Sequence, residues 1–83
     1  MKPGKDIVMT LDRLAIGGVG RVENVTGDDD LSMRLMEMGL VPGTECRLVG
    51  MAPLGDPIEI ELRGYRLSLR RSEGARIEIS PLK

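Results

Sequence analysis

Acid–base, nucleophilic and metal chemistry each need a few residue types held close together, and this chain is short of them. It has no histidine, which removes Ser/His/Asp and Cys/His sets together with the commonest transition-metal ligand. The single cysteine, Cys46, stands in the alternating run TECRLVGMA, which turns it inward beside Leu48. A lone inward thiol behaves as a small apolar side chain. The run Asp28-Asp29-Asp30 offers three carboxylates, but consecutive side chains diverge at a helix start, where they serve as cap and dipole partners. Met33, Met36 and Met38 carry soft thioethers, suited to Cu(I) more than Fe(II). Gly17, Gly18 and Gly20 have the look of a phosphate cradle, yet they lead into a strand and no G-x-x-x-x-G-K-[ST] follows. Glu59 and Glu61 share one strand face, with Glu61 set against Arg66 as part of a salt-bridged wet surface. These residues point to no catalytic, cofactor or metal site, and so to a protein that is not an enzyme.

The totals agree. Eighty-three residues make one domain with a small core, expected over residues 10–83 behind a flexible lead of residues 1–9. Apolar residues are 41% of the chain, but there is one Tyr and no Phe or Trp, so Leu, Ile, Val and Met must build the interior. Residues 1–56 carry 6 Lys/Arg against 9 Asp/Glu (−3) and residues 57–83 carry 6 against 4 (+2). That asymmetry is too small for a nucleic-acid footprint, and stacking aromatics are missing. One cysteine fits a reducing compartment. No apolar run reaches the roughly 18 residues of a membrane span, and MKPGKDIVMTLD lacks the apolar stretch of a signal peptide. A cytoplasmic location, with no membrane insertion, is expected.

The elements follow from spacing. TLDRL reads as one helical turn with Leu11 and Leu14 on one side, and Thr10 as its cap. Val19 to Val25 reads as a strand whose imperfect alternation asks for a bulge, expected near Gly20. TGDDDLSMRLMEMGL reads as a helix with Leu31, Leu35 and Met38 toward the core. Gly39 then serves as its left-handed stop, Leu40 folds back on Leu35, and Pro42 bars resumption. TECRLVGMA is the next strand, and PLGDP a turn. In IEIELRGYRLSLR a two-residue Arg63-Gly64 turn sets Leu62 against Tyr65, Glu61 against Arg66, Ile60 against Leu67, Glu59 against Ser68 and Ile58 against Leu69. RRSEGA is a tight bend, and RIEIS a last strand with Ile77 and Ile79 inward. About five short strands with one short helix between the first and second predict a mostly β, partly open SH3-like barrel.

Off the helix's core stripe lie Met33 and Met36, three residues apart. Exposed methionines make an adaptable apolar contact. Met33, Arg34, Met36 and Glu37 are therefore the candidate docking patch for a partner protein, against the plainer possibility that a small barrel wraps them into its core edge. Arg63, Arg66, Arg70, Arg71 and Arg76 form either a basic strip for an acidic partner or one side of a mixed-charge wet face. A groove for an extended peptide is a further candidate, weakened for proline-rich ligands by the missing aromatics.

The order L-x-x-L-x-x-G-x-x-G (Leu11–Gly20), R-L-x-x-M-G-L-x-P-G (Arg34–Gly43), P-L-G-D-P (Pro53–Pro57) and G-Y-x-L-S-L-R (Gly64–Arg70) resembles the FeoA family over nearly the whole chain. The resemblance implies an SH3-like barrel that supports bacterial ferrous-iron uptake by contact with FeoB, a membrane transporter with a GTPase domain. Weak self-association is also admitted. The same barrel occurs as the C-terminal domain of DtxR-type repressors, so a metal-responsive regulatory or peptide-binding module is the second expectation and a direct metal binder the third.

Overall fold

The computed structural model describes residues 8–82, so most of the lead expected over residues 1–9 lies outside the described residues. Six strands form one antiparallel sheet: β1 (Met9–Thr10), β2 (Val19–Val25), β3 (Glu45–Met51), β4 (Ile58–Leu62), β5 (Tyr65–Leu69) and β6 (Ile77–Pro81). Their spatial order is β1-β6-β2-β3-β4-β5, so the curled sheet keeps β1 and β5 as edges and does not close. The 3-10 turn Leu11–Arg13 follows β1, α1 (Asp30–Glu37) joins β2 to β3, and a one-turn helix α2 (Arg71–Gly74) joins β5 to β6.

Five strands and the α1 helix stand where the sequence pattern puts them. The additions are β1, whose Met9 and Thr10 pair with Ile79 and Glu78, and α2, which replaces the expected bend. Glu73 stabilises α2 by reaching back to accept the Arg70 N–H at 2.9 Å. The bulge in β2 falls between Val22 and Asn24 against β6, not at Gly20. Gly20 instead lies flat against the core, because a Cβ there would stand 2.5 Å from Ile79 Cδ1. The bulge at Glu23 is what turns both Val22 and Val25 inward. Thr10 precedes the 3-10 turn without a side-chain cap bond.

The β4–β5 hairpin has the expected register at all five pairs. Arg63 and Gly64 take φ of 52° and 86°, the twin positive values of a type I′ turn whose twist matches the strands. Alternation then buries Ile58, Ile60, Leu62 and Leu69 with Leu11, Leu35, Leu40, Leu48, Ile77 and Ile79. Cys46 apart, the buried core cluster is aliphatic.

Helix α1 begins and ends by local chemistry. Asp29 is its cap and accepts the Ser32 N–H at 3.3 Å. At the other end Gly39 (φ 105°) donates to Met36 O at 3.0 Å and Leu40 donates to Leu35 O at 3.2 Å, the paired bonds of a Schellman stop. Leu40 is fully buried, which aims the chain at β3.

Candidate functional site

The stripe Ser32–Leu35 sinks α1 into the barrel, with Leu31 and Met38 packed at its margin. That orientation leaves Met33 and Met36 facing outward, 55% and 37% exposed. Arg34 and Glu37 are exposed beside them. The four candidate residues therefore share the outer half of one helix and are not wrapped into the core edge. Arg34 extends toward α2, where its Nη2 lies 3.9 Å from Glu73 Oε2. With Arg34 largely in solvent and the separation at the outer limit of an ion pair, this contact adds little stability.

Two tertiary contacts hold the helix in place. The chain's one aromatic, Tyr65 at the start of β5, donates its hydroxyl to Met38 O and so supplies a partner to a helix-end carbonyl. At the N-terminus Arg76 donates to Thr26 O at 3.2 Å and pairs with Asp29. The Asp29 carboxyl is held below its usual range, first by the Ser32 N–H and then by the Arg76 guanidinium. The aspartate run is thus helix-end chemistry. Among the described residues, no three His, Cys, Asp or Glu side chains converge on a common point.

The other candidates are spread apart. Cys46 is buried opposite Gly20, and burial pushes its thiol up to about 11. Gly17 (φ 90°) donates to Leu48 O at 2.6 Å in a turn that fastens the Ala15–Gly18 connection to β3. Glu61 does stand opposite Arg66, but among the described residues no ion pair joins them within 4.0 Å. The five arginines do not make one strip. Arg76 serves the α1 cap, and Arg71 clamps the 52–57 turn by donating to Gly55 O and Asp12 O, both at 3.1 Å. Arg63, Arg66 and Arg70 remain exposed along β5 and its ends. A shallow hollow of about 220 Å³ beside Glu45, Arg47, Glu61 and Arg63 is smaller than the usual small-molecule site.

The most exposed large apolar side chain among the described residues escaped the sequence reading. Leu54, in the PLGDP turn, is 96% exposed. Its only local signal was an apolar side chain between two prolines where turns favour polar ones.

The architecture is that of a half-open SH3-like barrel with one outward helix face. The FeoA domain family profile matches residues 9–81, and the chain belongs to that family. It is 37% identical over 71 residues to the Fe(2+) transport protein A/Fe(2+) transporter FeoB fusion protein of Porphyromonas gingivalis, covering 86% of this chain and 8% of that relative. The chain thus spans a small fraction of that relative's length. It superposes on the zinc complex of Stenotrophomonas maltophilia FeoA, described as a procaryotic SH3 domain protein, with TM-score 0.77 and 34% identity over 87% of this chain and 89% of that one. A manganese-dependent transcriptional repressor bound to manganese superposes with TM-score 0.84, covering 96% of this chain and 39% of that one, at 16% identity. That last likeness is one of fold alone. The fusion relative is, by its name, a protein of Fe(2+) transport. No helix among the described residues is long and apolar enough to cross a membrane.

Proposed function

We propose that this protein is a non-enzymatic accessory of ferrous-iron uptake that works in the cytoplasm by docking on the transporter FeoB. The observation that carries the reading is the P. gingivalis relative, in which a transport protein A segment and FeoB share one polypeptide. Two functions fused in one chain act at high effective concentration, and separate chains achieve the same end through a docking surface. The outer face of α1, with Met33, Arg34, Met36 and Glu37, is the surface this reading assigns to the contact. Docking alters transport only if one transporter state is bound more tightly than another, so the protein acts as a selector of FeoB conformation or assembly.

The test is a pulldown of solubilised FeoB by the tagged chain, with and without guanine nucleotide, comparing wild type with Met36→Glu. The substitution places a charge on a site 37% exposed, and the variant is expected to keep its fold. Loss of FeoB from the eluate supports the helix face; unchanged capture removes it; no capture by the wild type removes the docking reading. The repressor-like fold keeps one rival, a metal-responsive regulatory or peptide-binding module. Co-purification of a DNA-binding chain in place of FeoB would favour it.

A further inference from the structure

The edge strand β5 has a free side with a definite chemistry. In a two-residue hairpin the residues flanking the turn exchange hydrogen bonds, and the alternate positions point their backbone groups away from the partner strand. In the observed register Tyr65, Leu67 and Leu69 bond inward to β4, so Arg66 and Ser68 present N–H and C=O outward. Among the described residues no backbone or side-chain group takes up those four polar groups. Helix α1 meets the two ends of this segment, its C-cap Met38 O accepting from the Tyr65 hydroxyl and its Arg34 reaching Glu73 of α2.

Charge selects what can pair there. The segment Arg63–Arg71 holds four arginines and no acidic residue, and Arg63, Arg66 and Arg70 are exposed. A second copy pairing antiparallel through β5 would bring two such segments together, and like charges across a ladder are destabilising. A strand with acidic side chains gains at the same positions. We propose that β5 accepts an extended acidic segment of the partner protein as a seventh strand, held by the backbone of Arg66 and Ser68 and oriented by the flanking arginines. This rests on the docking reading above and names the form of the partner's contact.

The experiment is amide hydrogen exchange of the full chain, free and bound to solubilised FeoB, with affinity measured for Ser68→Pro and Ser68→Ala. Proline removes the outward donor from an edge position where it leaves the β4 ladder whole; alanine retains it. Slowed exchange at Arg66 and Ser68 on binding, a loss of about tenfold or more in affinity for Ser68→Pro and none for Ser68→Ala support the proposal. So does weakening by added salt. FeoB binding with both amides still exchanging freely overturns it and leaves the docking reading intact. Protection without salt dependence overturns the acidic assignment. Failure of the wild-type chain to bind FeoB removes the docking reading and this inference with it. Should Ser68→Pro lose its circular dichroism spectrum, the exchange data on the wild type decide.

Discussion

Replacing Gly39 by alanine tests how the helix stop and the lone aromatic depend on each other. Gly39 has φ 105°, and a Cβ there would stand 2.7 Å from the Tyr65 hydroxyl oxygen and 3.4 Å from Leu62 Cδ1. Two costs follow. A left-handed backbone costs a non-glycine residue about 1–2 kcal/mol. Moving the Tyr65 hydroxyl aside costs its bond to Met38 O, about 1 kcal/mol more. Gly43 isolates the first cost, since its φ is 95° and nothing lies within 4 Å of its added Cβ. Gly39→Ala should therefore lose about 2–3 kcal/mol and Gly43→Ala about 1–2 kcal/mol. For a domain of 60–100 residues, 2–3 kcal/mol lowers Tm by roughly 10–20 °C. Urea unfolding followed by far-ultraviolet circular dichroism measures both, with unchanged m values as the check on two-state behaviour. A double-mutant cycle completes the test. Tyr65→Phe alone should cost about 1 kcal/mol, and close to nothing in the Gly39→Ala background, because the hydroxyl has already lost its partner. If Gly39→Ala and Gly43→Ala agree within about 0.3–0.5 kcal/mol and the cycle shows no coupling, the steric argument is wrong.

Three more outcomes are expected. Ile60→Ala empties a fully buried site opposite Leu48 and Leu67 and should cost about 2–5 kcal/mol in the same urea assay. The Asp29 carboxyl is depressed in the folded chain, so its contribution is complete above the unfolded value near 3.9 and is lost as pH falls through the lower folded value. The urea midpoint of wild type should accordingly fall between pH 5 and pH 3, and Asp29→Asn should flatten that slope. Cys46, buried with its thiol pushed up to about 11, should react with a colorimetric disulfide reagent at pH 8 only at the rate of opening; prompt labelling of the native chain would contradict its placement in the core.

Local chemistry carried much of this protein. A period-two pattern around Arg63-Gly64 sets the hairpin register, since any one-residue slip would turn Ile58, Ile60 and Leu62 into water. Asp29, Gly39 and Leu40 mark the ends of α1 because a cap and a Schellman stop are formed by residues within a few positions of one another. The same spacing placed Met33 and Met36 off the buried stripe, although it could not say whether the barrel would cover them. Other features lay beyond a local pattern. The two-residue β1 exists only through its pairing with β6, almost the whole chain away. The bulge sits at Glu23 because β6 and the flat packing of Gly20 on Ile79 demand it there. Arg71, Arg76 and Tyr65 bond to backbone carbonyls distant in sequence, and no periodicity foretells a hydrogen bond to a main-chain oxygen. Alternation and end signals determined the elements; which edge stays open, and which helix face stays bare, was decided when the sheet curled and chose its neighbours.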